Sequence, residues 1–65
     1  MIENNQTQIL TVEETAELLM TGKGAIYELL ANGELKAFKI GRVWKIPMSS
    51  ISNFVNERLE SNPIL

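Results

Sequence analysis

The strongest constraint on this sequence is what it lacks: among its 65 residues there is no cysteine and no histidine. A core of that size is expected to supply only about 3 to 5 kcal/mol of net stability. The usual supplements, disulfides and zinc sites, need thiolate or imidazole groups. Packing alone, or a partner, must hold such a domain together, so every buried side chain matters. Without thiols the chain is indifferent to redox conditions, and a reducing cytoplasm is the expected location. The polar lead from Met1 to Gln8 carries Glu3 in place of a basic cluster, and no apolar run follows it as in a signal peptide. No stretch approaches the roughly 20 apolar residues of a membrane span, so no membrane partner is expected.

The net charge of −2 argues, taken alone, against a polyanionic partner. The distribution argues the other way. Residues 1–22 carry Glu3, Glu13, Glu14 and Glu17 with no basic residue, whereas residues 23–48 carry Lys23, Lys36, Lys39, Arg42 and Lys45 against Glu28 and Glu34. Any anion-binding face must be built from that central segment.

Periodicity supplies the elements. Thr11-Val12-Glu13-Glu14 has the form of a capping box and predicts a helix start, with Val12, Ala16, Leu19 and Met20 at helical spacing until Thr21-Gly22 interrupts. Gly22 opens a second helix whose apolar stripe is Ile26, Leu29 and Leu30, and Asn32-Gly33 ends it. Leu35 to Lys39 and Val43 to Ile46 read as strands flanking Ile40-Gly41-Arg42, a hairpin closed by Pro47. Ser49 or Ser50 caps a last helix with Ile51, Phe54, Val55 and Leu59 at a 3.6 period. The fold class is therefore α+β, mostly helical, in the order helix, helix, β-hairpin, helix. The expected organisation is a flexible polar lead over residues 1–8, one domain over 9–60 and a frayed tail over 61–65. The expected core is Ala16, Leu19, Ile26, Leu30, Phe38, Trp44, Ile46, Ile51, Phe54 and Val55.

Two helices joined by a tight turn make a helix-turn-helix if a small residue sits at the crossing and a branched one faces it, roles that Ala16 and Ile26 fill. The turn position usually held by glycine is Met20. A left-handed backbone there costs about 1 to 2 kcal/mol, which predicts a turn of different shape. Leu10-Thr11-Val12-Glu13-Glu14, Ala16-Glu17-Leu18-Leu19, Ile26-Tyr27, Gly33-Glu34-Leu35 and, above all, Phe38-Lys39-Ile40-Gly41-Arg42 with Trp44-Lys45-Ile46-Pro47 together resemble the excisionase-type DNA-binding domain, a relative of the MerR-type winged helix. The resemblance runs from about Ile9 to Leu59.

That resemblance implies a winged helix-turn-helix that binds double-stranded DNA, with the second helix in the major groove and the wing, Lys36 to Lys45, on backbone or minor groove. Lys23, Lys39, Arg42 and Lys45 would neutralise phosphates, Tyr27 would donate its hydroxyl, and the backbone N–H groups of Gly22, Lys23 and Gly24 would approach an anion closely. Gly22, Gly24 and Ala25 replace the serine or threonine common in the family, and Glu28 a common basic residue. Ala25 can touch a thymine methyl and Glu28 can accept from cytosine, so direct readout is thin. The candidate interface is thus Gly22, Lys23, Gly24, Ala25, Tyr27, Glu28, Lys36, Lys39, Gly41, Arg42 and Lys45. The implied roles are a recombination directionality factor or a small transcriptional regulator of a mobile element, with an integrase or recombinase and neighbouring copies on DNA as partners.

Other readings were weighed against these. The wing cations also suit a solvated hairpin that keeps its edges from pairing with other chains. Phe38 and Trp44 suit the core better than base stacking. Glu13, Glu14 and Glu17 are explained by capping and the helix dipole rather than by a metal or catalytic cluster. Gly22-Lys23-Gly24 lacks the rest of a phosphate-binding loop. No cofactor and no enzymatic activity are expected. The competing function is a protein-interaction adaptor that keeps the winged fold but has lost base readout, docking through its acidic first helix or Ile64-Leu65.

Overall fold

The computed structural model describes residues 8–61, so most of the expected lead, the tail beyond Ser61 and the Ile64-Leu65 docking segment lie outside the described residues. The elements are β1 (Ile9–Leu10), α1 (Val12–Leu18), α2 (Lys23–Ala31), β2 (Phe38–Ile40), β3 (Val43–Pro47) and α3 (Met48–Ser61). Three helices pack with a small antiparallel sheet of order β1-β3-β2, a winged helix-turn-helix.

Helix α1 begins as the sequence dictates. Thr11 is its N-cap: its hydroxyl accepts from Glu14 N–H at 3.0 Å while the Glu14 carboxylate accepts from Thr11 N–H at 3.0 Å, an arrangement worth about 1 kcal/mol. Thr15 continues the theme, its hydroxyl donating to the Thr11 carbonyl at 2.9 Å, and so is buried without an orphaned polar atom.

The turn after α1 corrects an expectation. Met20 does adopt the left-handed conformation, φ 58°, and the turn keeps the usual shape. Met20 N–H donates to the Glu17 carbonyl and Thr21 N–H to the Ala16 carbonyl at 2.8 Å, the paired bonds of a Schellman motif. Those two bonds offset the strain at Met20. Helix α2 ends identically, with Gly33 (φ 77°) donating to the Leu30 carbonyl and Glu34 to that of Leu29. The same device is built once on glycine and once on methionine.

Three further boundaries differ from expectation. The first wing strand starts at Phe38 rather than Leu35, because Leu35 follows the α2 cap directly and is buried at 1% exposure. Ile9–Leu10, too short for a periodicity to register, adds a third strand, with Leu10 opposite Ile46 and Ile9 opposite Pro47. Helix α3 starts at Met48, so that Ser49 and Ser50, expected to cap it, lie inside its first turn, and Met48 N–H donates to the Gln8 carbonyl at 2.8 Å, so the chain before β1 serves where a side-chain cap was expected.

The core is Leu10, Val12, Ala16, Ile26, Leu30, Leu35, Ile46 and Ile51, with Leu19, Leu29, Ala37, Trp44, Met48, Phe54 and Val55 partly buried against it. Phe38, expected inside, is 46% exposed. Strand alternation explains it: Lys39 pairs with Trp44, and Trp44 shares its face with fully buried Ile46, so Phe38 must point to the other side. The Arg58 guanidinium lies over the Phe54 ring, 4.6 Å from its centroid, and pairs with Glu34, fastening α3 to the loop after α2.

Candidate nucleic-acid interface

Helix α2 buries Ile26 and Leu30 and leaves Gly24, Tyr27, Glu28 and Ala31 exposed, a stripe at i, i+3, i+4 and i+7 that must be one continuous face. Ala31 was not singled out from the sequence, although its spacing from Gly24 was the available signal. Two of the four positions carry no polar side chain, so the helix presents a smooth surface broken by one phenol and one carboxylate.

The start of α2 is open. Its N-cap is Gly22, which supplies no side-chain hydrogen bond to the first turn. Added Cβ atoms at Gly22 and Gly24 would meet nothing within 4 Å, and Gly22 has φ −89°, so neither internal packing nor backbone geometry requires glycine there. Uncapped N–H groups at a positive dipole end favour anions. Beside them the Lys23 ammonium lies 3.7 Å from the Glu13 carboxylate, both side chains exposed, a pair worth about 0 to 1 kcal/mol and readily exchanged for another anion.

Glu13 links the helix start to the wing. A groove of 240 Å³ runs between the start of α1, helix α2 and the hairpin, lined by Glu13, Tyr27, Arg42, Val43 and Trp44 among others. Tyr27 from α2 and Arg42 from the hairpin tip therefore border one surface, although they are far apart in sequence. The tip is a two-residue loop: Ile40 faces Val43 across the strands, and Gly41 turns the chain at φ 64°. Glycine at the first central position with positive φ is what a type II′ hairpin demands.

The other wing cations diverge. The Lys39 ammonium stands 5.0 Å from the centroid of the Trp44 ring, a cation–π contact that covers the outer edge of a half-buried aromatic. Lys45 lies on the opposite face of the hairpin, across from Phe38. Lys36 lines a separate groove with Glu34, Phe54 and Glu57 against α3, away from Tyr27 and Arg42. Gly22, Lys23, Tyr27 and Arg42 are thus gathered around Glu13, Gly24 lies on the exposed face of α2, Lys39 and Lys45 flank the hairpin on its two faces, and Lys36 stands apart.

That outer hairpin face holds what sequence reading missed. Phe38, Ile40 and Val43 lie on it, exposed at 46%, 62% and 51%. Their alternation with Lys39 was the signal, obscured because Phe38 was assigned inward. Among the described residues no group of three or more His, Cys, Asp or Glu side chains is placed to hold a metal ion, and no helix is long and apolar enough to cross a membrane.

A family model described as a helix-turn-helix domain matches residues 9–59. A Saccharopolyspora erythraea protein named "Probable excisionase" is 41% identical over 46 residues, covering 71% of this chain and 47% of that protein. A Mycobacterium tuberculosis protein whose name proposes DNA binding is 36% identical over 50 residues, covering 77% of this chain and 64% of that one. An uncharacterised Bacillus subtilis protein is 32% identical over 60 residues, covering 92% of this chain but 20% of its own length. The chain therefore spans between a fifth and two thirds of these relatives. No solved structure matches it.

Proposed function

The chain belongs to the excisionase-type family of helix-turn-helix DNA-binding domains, a binding module and not an enzyme, and from that premise we propose that α2 enters the major groove of duplex DNA while the Gly41-Arg42 tip follows the backbone into the adjacent minor groove. The observation that carries this reading is the shared border of Tyr27 and Arg42 beside the uncapped start of α2. A phosphate approaching Gly22 and Gly24 meets backbone N–H groups and no Cβ, Lys23 exchanges Glu13 for that phosphate, and Tyr27, Lys39, Arg42 and Lys45 add contacts along the strand. Lys36 would reach DNA only from its separate groove. Exposed Ala25, at the edge of the smooth face of α2, is left a thymine methyl and Glu28 a cytosine amino group as base contacts.

Within the family the role that fits is a recombination directionality factor, or a small regulator of transcription in a mobile element, working in the cytoplasm. A module of this size buries too little surface to be both tight and specific alone, so we propose that copies bind neighbouring sites cooperatively and that one of them meets an integrase or recombinase. An in vitro recombination assay with the cognate integrase separates the two roles: a change in the ratio of excised to integrated product supports directionality, and an unchanged ratio with retained DNA binding leaves regulation.

One observation favours a protein-binding reading. A groove of 580 Å³ lined by Leu18, Leu19, Met20, Met48, Ile51 and Val55 with two polar residues is largely apolar, and exposed apolar surface of this kind marks protein contacts. Failure to bind any duplex at low salt would make that reading the better one.

A further inference from the structure

The exposed outer face of the hairpin calls for an occupant. Ile40 and Val43 are directly opposed across the last register before the turn, so their side chains stand together on one face. Phe38 extends the same face two residues further from the tip. Nothing else about the hairpin is apolar in this way: Arg42 forms the tip, Lys45 lies on the same face and Lys39 on the other, and no acidic residue occurs anywhere between Leu35 and Asn56.

We infer that Ile40, supported by Val43, is an apolar wedge that enters a base step from the minor groove, so that this domain selects DNA by how easily a step opens rather than by base-edge hydrogen bonds. The inference rests on the DNA-binding reading above and deepens it. Charge complementarity names the partner, since Arg42 at the tip and Lys45 on the same face flank the apolar pair, while Glu13, the acidic residue that lines the groove beside Val43, is paired with Lys23. Geometry names the groove: a two-residue turn makes the tip narrow, and Ile belongs to the residues that unstack base steps when a basic element enters the minor groove. The smooth face of α2 supplies the motive. Gly24 and Ala31 have nothing with which to read a base edge, whereas a wedge converts sequence-dependent stiffness into discrimination at positions never hydrogen-bonded. The preferred ligand is therefore duplex DNA with a flexible pyrimidine–purine step, TA or CA/TG, under the wing.

The test compares the full chain with an Ile40→Thr, Val43→Thr double variant. Threonine keeps the β-branch that suits a strand, and both positions are exposed, so folding survives. The duplexes carry 2-aminopurine beside a central TA step, or a stiff A-tract in its place, with a donor and acceptor dye at the ends. The original chain should raise 2-aminopurine fluorescence, shorten the end-to-end distance and favour the TA duplex by about tenfold, equivalent to about 1.4 kcal/mol. The double variant should keep its salt-dependent binding and lose all three effects. Binding by the original chain without unstacking, or unstacking undiminished in the variant, overturns the wedge while leaving DNA binding intact. A sedimentation change on mutating the DNA-free protein also overturns it, by making this face a contact between copies. Absence of binding to either duplex removes the DNA reading itself and the wedge with it.

Discussion

At the scale of single residues, the structure separates side chains that stabilise the domain from those that do not. Met20 is 90% exposed and left-handed, so its conformation costs stability and its side chain returns little burial. Met20→Gly should raise stability by about 0.5 to 1 kcal/mol, the relief of about 1 to 2 kcal/mol being reduced by glycine's greater freedom in the unfolded chain. A higher urea midpoint at unchanged slope is the expected reading; a lower midpoint would mean that the methionine packs. Gly24 shows the opposite relation. It lies in the first turn of α2 with open space where a Cβ would stand, so Gly24→Ala should stabilise by about 0.5 to 1 kcal/mol. If glycine is there to let a phosphate approach, the same variant should bind DNA more weakly. Thermal melting and a DNA titration of one preparation check both halves, and tighter binding would sink the explanation.

At the scale of elements, what was legible in the sequence is what local chemistry decides. The capping box of α1 and the Asn32-Gly33 end of α2 each depend on residues within a few positions of one another and form as expected, and the hairpin turns at Gly41-Arg42, with Ile40, expected in the turn, drawn into β2 opposite Val43. What was not legible depends on distant partners. Ile9–Leu10 is a strand only because β3 lies beside it, and α3 starts early because Gln8 reaches Met48. Phe38 faces out because the pairing of Lys39 with Trp44 fixes the hairpin's inner face. Leu35, which its pattern predicts to be strand, is a core residue between α2 and β2. Leu35→Ala should therefore cost about 2 to 5 kcal/mol, comparable with the whole stability expected of so small a domain. Far-UV circular dichroism should show a largely unfolded chain, and a native spectrum with a barely altered midpoint would contradict the assignment. The sequence offers the candidate interface as a list of residues and leaves their arrangement to the fold. Only the fold reveals that Arg42 and Tyr27 line one groove while Lys36 lines another against α3.

At the scale of the molecule, a chain with net charge −2 can present a basic surface because six of its eight acidic residues lie in the first 22 residues or near the end, apart from most of its cations. Of the other two, Glu34 pairs with Arg58 and Glu28 stands exposed on α2, while Glu13 shares a groove with Arg42 and pairs with Lys23. A single module with few base contacts should bind duplexes of any sequence through phosphates and owe its selectivity to neighbours and to DNA shape. The most direct test is a fluorescence-anisotropy titration onto random-sequence duplex at several salt concentrations, repeated with Arg42→Ala. Contacts by Lys23, Lys39, Arg42 and Lys45 should give a log–log slope near −3.6, at about −0.9 for each phosphate neutralised, and the variant should fold normally with a slope shallower by about 0.9. No binding at the lowest salt, or a slope near zero that Arg42→Ala leaves unchanged, would contradict the claim that this surface binds DNA.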